Sequence, residues 1–314
     1  MEYEEWPAPP GLERLVSRMW FLEVPRVRRF EKILPLPFVH LIINLSDPYA
    51  VVDRSGTATQ VGGAFISGIQ TEYLVIEQPP LIRHLGVELL PAGLGAVTDV
   101  GGPQIAGRVQ DARLLVPGLS ELIDDLVVGF SELDKCRTSD LALDRMTTLL
   151  LSRHAARSSG SPLPDPLVAS ALASLEENPS RPINALAVGV SQRTLLARFR
   201  AATGMSPKTY AQVLRFHRLV TALATSSSVG GRMGHAASVP GTGMEFGWAD
   251  VATGSGYYDQ PHVIRAFRRF CGWTPTEYIR RVDEFGPDAA LFVPLDEVPR
   301  DSDATTKATT RGVP

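Results

Sequence analysis

The sequence predicts an α+β chain: a β-rich, barrel- or sandwich-like N-terminal domain, then an all-α C-terminal domain with two helix-turn-helix units. Three observations predict it. Short apolar runs broken by Gly, Pro and Asp/Ser turns fill residues 33–115, the pattern of many short strands. One helical pattern occurs twice within 182–282 at a constant offset of 68, so that Phe199 to Tyr210 aligns with Phe267 to Tyr278. Charge is also unevenly spread: residues 1–180 carry 15 Lys/Arg against 23 Asp/Glu, 181–282 carry 13 against 4, and 283–314 carry 3 against 7. A basic block between acidic flanks is the electrostatic footprint of a nucleic-acid-binding region joined to something else.

Taken in order, residues 11–24 pass from helical spacing into a strand-like run. Val39 to Leu45, Tyr49 to Asp53, Ala64 to Gly68, Glu72 to Glu77 and His84 to Leu89 then read as strands between turns. Helices are expected at about 118–130 and 139–157, the second with Leu141, Met146, Leu149 and Leu150 on one side. Ser158 to Pro164 reads as a linker. Asp165-Pro166 starts the next helix as an N-cap with proline at the first helical position, and Asn178-Pro179 closes it. A Gly/Ser-rich insertion covers 226–246, and the tail is expected to be disordered. The expected domains are therefore 1–117 (β-rich), 118–157 (helical connector), 163–283 (helical reader) and 298–314 (tail).

In the first repeat, Ile183 to Ala187 forms a short helix, Gly189 permits a tight turn and Ser191 caps the next helix. Leu195 and Phe199 face inward at helical spacing, which leaves Gln192, Arg193, Leu196 and Arg200 outward. In the second, Trp248 to Thr253 is the first helix, Gly256 opens the turn and Asp259 is the cap. Val263 and Phe267 face inward; Gln260, Ile264, Arg265 and Arg268 face out, with His262 and Arg269 at the margins. A buried stripe fixes how such a helix enters the major groove, where Arg can fork onto guanine and Gln onto adenine. We expect DNA contacts from Gln192, Arg193, Leu196, Arg200, Gln260, His262, Arg265, Arg268 and Arg269. Arg198, Arg215, Arg218, Arg280 and Arg281 are expected to neutralise phosphates.

Gly256-Tyr-Tyr-Asp-Gln-Pro-His-Val-Ile-Arg-Ala-Phe-Arg-Arg-Phe-Cys-Gly-Trp-Thr-Pro-Thr-Glu-Tyr resembles the C-terminal signature of the AraC family of bacterial transcription regulators. Gly189 to Phe199 with Gly204-Met-Ser-Pro looks like the first unit of that domain. The resemblance covers about 163–283. It implies two helix-turn-helix subdomains joined by a long helix, here 207–224, placing both reading helices in successive major grooves. Two departures stand out. The family usually has Arg where this chain has Ala197 and a polar residue at Leu196, and the 226–246 insertion lengthens a normally short connection.

The run Leu15-Val-x-x-Met-Trp-Phe, Leu34-Pro, Leu41 to Leu45, Ile66-Ser-Gly and Leu85 to Gly93 looks like the β-rich domain found ahead of some AraC-like regulators. The resemblance implies that it binds a small effector or supports a homodimer, and that RNA polymerase is a partner if the protein is an activator. Trp20, Phe38, Phe65 and Tyr73 are the candidate effector contacts at a barrel mouth.

Other function classes find little support. His40 and His84 stand without clustered metal ligands, and the chain has no G-x-S-x-G motif or phosphate loop. No catalytic residue, metal or cofactor is expected. The two cysteines, Cys136 and Cys271, make no disulfide framework. An acidic start without an apolar segment points to a cytoplasmic protein with no membrane partner. The alternatives are a cupin-type β-barrel enzyme fused to a DNA-binding module, and an architectural DNA-binding protein without effector control. The sequence thus predicts a DNA-binding transcription regulator and not an enzyme.

Overall fold

Alternation of inward and outward residues builds two packed sheets. The computed structural model describes residues 2–53, 55–132, 135–158, 164–229 and 248–299. Glu2–Pro7 (β1), Val16–Pro25 (β2), Phe30–Ile33 (β3), Val39–Asn44 (β4), Tyr49–Val52 (β5), Ala58–Val61 (β6), Ala64–Ser67 (β7), Leu74–Glu77 (β8) and Leu81–Leu89 (β9) follow at close intervals. Two one-turn helices, Leu94–Val97 (α1) and Gly102–Ile105 (α2), lead to Val109–Asp111 (β10).

The first sheet runs β1-β2-β9-β4-β7-β10, with every pair antiparallel. Its register places Trp20, Gly86, Ile42 and Phe65 in one row across the sheet. That row faces the second sheet: Ile42 and Phe65 pack with Tyr49 and Ile76. A Cβ on Gly86 would lie 2.1 Å from the Trp20 ring, so only glycine lets the indole lie across β9. The opposite face, carrying Met19, Leu41, Ile43, Leu85, Val87 and Leu89, is buried under helices. β9 is therefore covered on both sides, which is why it reads as a nearly continuous run and not a clean alternation.

One covering helix is Lys135–Ser158 (α4), and Leu119–Glu132 (α3) packs against it. Ala142, Met146 and Leu150, spaced four apart, form the buried stripe of α4, and Thr147 Oγ1 approaches Met19 Sδ at 3.9 Å. Arg153 and Arg157 both hold Asp99, at 2.8 and 2.6 Å.

The C-terminal helices are Pro166–Glu177 (α5), Ile183–Leu186 (α6), Gln192–Thr203 (α7), Pro207–Val229 (α8), Trp248–Gly254 (α9), Gln260–Phe270 (α10) and Pro275–Phe285 (α11). Asp165 caps α5 by accepting from the Leu167 N–H at 2.9 Å, and Asn178 ends it. Val168, Ala171, Leu172 and Leu175 are its buried face.

The chain then returns to the β region. Phe292–Leu295 (β11) adds to the edge of the second sheet, ordered β11-β3-β8-β5-β6, with Val293 opposite Lys32. Pro294 is tolerable there because an edge strand can leave one side unpaired. Tyr278 Oη donates to the Ala290 carbonyl at 2.9 Å, pinning the return to α11. The sequence reading gave this stretch no element. Val298, which that reading placed in the tail, packs against Val52, Val75 and Leu295. Residues 300–314 of the expected tail, 159–163 of the expected linker and 230–246 of the expected insertion lie outside the described residues.

Candidate nucleic-acid interface

Each reading helix is started by a short polar side chain. Ser191 Oγ accepts from the Thr194 N–H at 3.1 Å, and Asp259 Oδ1 accepts from the His262 N–H at 2.7 Å. The two caps keep the offset of 68, as do the first helical residues Gln192 and Gln260. A cap of this kind contributes about 1 kcal/mol and fixes the first turn, the part that enters the groove in helix-turn-helix proteins.

The inward residues sit as the spacing predicts. Leu195 and Phe199 are buried in α7, Val263 and Phe267 in α10. Phe216 of α8 meets the rings of Phe267 and Phe270 at 5.2 and 5.0 Å between centroids, while Tyr210 meets Phe199 at 6.1 Å. Thus α8 carries both units on its length. Outward, Gln192, Arg193, Arg200, Gln260, Arg265, Arg268 and Arg269 are exposed, while Leu196, His262 and Ile264 are partly covered.

The two faces are not equal. At the offset of 68, Leu196 corresponds to Ile264 but Ala197 corresponds to Arg265. Near the second face stand further cations. Arg215 of α8 reaches the Gly256 carbonyl at 3.5 Å. Burial, then the nearby Arg215 and Arg265 charges, holds the His262 imidazole below its usual value; Tyr257 meets its ring at 4.9 Å. A neutral imidazole can both donate to and accept from a base edge.

Several arginines expected on phosphates are engaged within the protein. Arg198 forms an ion pair with Asp165 at 2.6 Å. Arg218 donates to the Glu176 carbonyl, and Arg281 lies against the Trp273 ring at 4.6 Å. Arg269 donates to Gln212 Oε1 of α8 at 3.0 Å, which ties α10 to the long helix. Arg280 is exposed.

The sequence reading missed Tyr258. It is 84% exposed, beside the cap Asp259, whereas its neighbour Tyr257 is buried. Two adjacent tyrosines at the entry of a short turn cannot both face the core, which was the available signal. With Arg181, Lys208 and Arg215, Tyr258 lines a cleft between the two units.

The four aromatic residues expected to hold an effector do not form one site. Trp20 and Phe65 lie between the sheets, linked by His84 and Tyr49 in a chain of rings. Phe38 instead meets His217 of α8, with centroids 6.2 Å apart. Tyr73 stacks on Lys32 beside the turn after α10. Between the sheets Glu31 accepts from Gln78 Nε2 at 3.0 Å, and burial pushes its carboxyl up to about 7. Burial also pushes His84 down to about 4. Gln78 Oε1 and His84 Nε2 are buried there without a hydrogen-bond partner. On the same face Arg18 pairs with Glu88 at 2.7 Å and His40 Nε2 lies 3.6 Å from that carboxylate. Among the described residues no group of three His, Cys, Asp or Glu is placed to hold a metal ion, and no helix is long and apolar enough to cross a membrane.

Residues 4–111, spanning the β region, match the family DUF6597, a domain of unknown function. None of the curated proteins matches the chain. Among solved structures it is similar to ToxT from Vibrio cholerae O395, at 11% identity and TM-score 0.45, covering 83% of this chain and 97% of that one. It is similar to unsaturated fatty acid-bound ToxT from V. cholerae strain SCE256, at 8% identity and TM-score 0.44, covering 82% and 94%. A third is CuxR, at 13% identity and TM-score 0.23, covering 70% and 86%. CuxR is described as an AraC-like transcriptional activator.

Proposed function

We propose that the chain is a sequence-specific DNA-binding transcription regulator of the AraC family, reading successive major grooves with α7 and α10. One observation carries this reading. Two N-capped helices, related by a constant offset and mounted on one long helix, present exposed Gln and Arg at their first two turns. That is the geometry direct base readout requires. The surrounding cations Lys208, Arg215 and Arg280 supply backbone contacts that give affinity and register without sequence information.

The β region adds control. A small effector would act through the space between the sheets, where the unpartnered Gln78 Oε1 and His84 Nε2 and the Glu31 carboxyl could offer it hydrogen bonds beside Trp20, Tyr49 and Phe65. The protein acts in the cytoplasm, as a homodimer where its operators are paired, and meets RNA polymerase where it activates. No catalytic step is assigned to it.

Selection of bound sequences from a random double-stranded DNA pool by the purified full chain tests the reading. The expected result is enrichment of a bipartite site with half-sites about one helical turn apart. Retention of DNA without any enriched sequence would leave an architectural protein, and no retention would remove the DNA-binding reading.

A further inference from the structure

The two turns that follow the reading helices both rest on the β region. Gly204 and Gly272 stand at the same offset of 68 and both take left-handed backbone, φ 79° and 75°. Each is in close contact with an element from the N-terminal half. At the first, α2 comes backbone to backbone: a Cβ on Gly102 would lie 2.2 Å from the Gly204 nitrogen, and one on Gly204 would lie 2.4 Å from Ala106 Cβ. At the second, a Cβ on Gly272 would lie 2.6 Å from the Tyr73 ring.

The second contact also contains a buried cation. Lys32 of β3 is 1% exposed. Its Nζ donates to the Cys271 carbonyl at 2.9 Å and lies 3.5 Å from the centre of the Trp273 ring and 3.9 Å from that of Tyr73. It is held by two aromatic faces and one backbone carbonyl and, among the described residues, makes no ion pair with a carboxylate. Burying a lysine in this way is costly, and an apolar side chain of the same length would fill the slot more cheaply. What the ammonium adds is direction: a charge-assisted hydrogen bond and two ring contacts fix where the turn after α10 sits.

We propose that the β region is a two-point clamp which sets the spacing between the two reading helices, with Lys32 as the positioning residue for the second. The clamp rests on the DNA-binding reading above. In it, α2 holds the end of α7 and the Lys32 cage holds the end of α10, so the distance between half-sites that the chain accepts is set partly from outside the reader. α8 holds unit two through Phe216 and Gln212, and the Lys32 cage adds a second tie from the β region on the far end of α10.

The test uses the full chain and its selected site, with the distance between half-sites changed by one base pair in either direction. The wild type prefers one spacing. Lys32→Met is expected to lower that preference by about fivefold or more, the low end of ordinary coupling between sites, while affinity for the isolated second half-site stays unchanged. Lys32→Arg, which keeps charge and donors, restores part of the preference. Tyr73→Leu removes one wall of the cage and serves as the second variant, with the same flattening expected. An unchanged spacing profile in both variants would overturn the clamp, and so would an equal loss at every spacing. If neither variant folds, Lys32 serves the core and the clamp fails. A wild type that selects no sequence at all would refute the underlying sequence-specific reading instead, so the two failures are distinguishable.

Discussion

The first and second reading units share a skeleton and differ in what they present. Both have a capped start, a buried pair at i and i+4, and a left-handed glycine after the helix. Yet α7 carries Leu196 and Ala197 where α10 carries Ile264 and Arg265. The first unit is docked by backbone-to-backbone packing of Gly102 on Gly204, the second by the Lys32 side chain. On the proposed DNA-binding function, the difference gives unit two the larger share of the discrimination, while unit one reads with Gln192 and Arg193 at its start. A guanidinium can distinguish guanine by two hydrogen bonds, whereas Leu196 and Ala197 can offer at most a contact to a thymine methyl.

The shared skeleton can be broken most severely in its core. Phe199→Ala and Phe267→Ala each empty a fully buried ring site, and each should cost about 3–5 kcal/mol in urea unfolding. A loss much below this in only one unit would show that the two cores are not equivalent.

The β region should respond to pH through its interior. Folded Glu31 keeps its proton up to about 7, whereas the unfolded chain loses it near 4.5, so stability falls as pH rises through that window. His84, and His217 of α8 where it meets Phe38, are both pushed down to about 4 by burial and act in the opposite sense: stability falls as pH drops from 6.5 toward 4. Glu31→Gln should therefore stabilise the protein at pH 8 by up to about 3 kcal/mol, with little gain at pH 4. Equal unfolding midpoints for variant and wild type at pH 8 would remove Glu31 from this role.

Smaller effects sharpen the contrast between the units. Ser191→Ala and Asp259→Ala should each cost about 1 kcal/mol of stability by calorimetry, because each leaves a first-turn N–H unsatisfied. Ala197→Arg tests whether unit one lacks only the side chain: it should add sequence preference in the first half-site without changing the second. No change in the first half-site would mean that α7 approaches the bases less closely than α10.

Much of the reader was legible because its signals are local. Asp165-Pro166, Ser191, Asp259 and the glycines at 189, 204, 256 and 272 each specify a cap or turn within four residues, and the structure uses them so. What was not legible depends on distant partners. Nothing near Phe292 announces that it will pair with β3, since its partner Ile33 lies at the other end of the chain. Lys32 looks like an ordinary surface lysine until Trp273 covers it. Arg198 and Arg218 match the pattern of phosphate contacts, but Asp165 and the Glu176 carbonyl reach them first. The aromatic residues of the β region shared composition but not a face, because Trp20 and Phe65 point between the sheets while Phe38 and Tyr73 meet the helices.

The division of labour is tested most directly by measuring the affinity of wild type and Arg265→Ala for the selected site and for every single-base variant of it. Arg265→Ala should lose about 1–3 kcal/mol on the selected site and lose discrimination at one position of the second half-site, with the first half-site unaffected. Uniform weakening across all variants with a reduced salt slope would make Arg265 a phosphate contact, and unchanged binding would take it out of the interface; either result contradicts the assignment of discrimination to unit two.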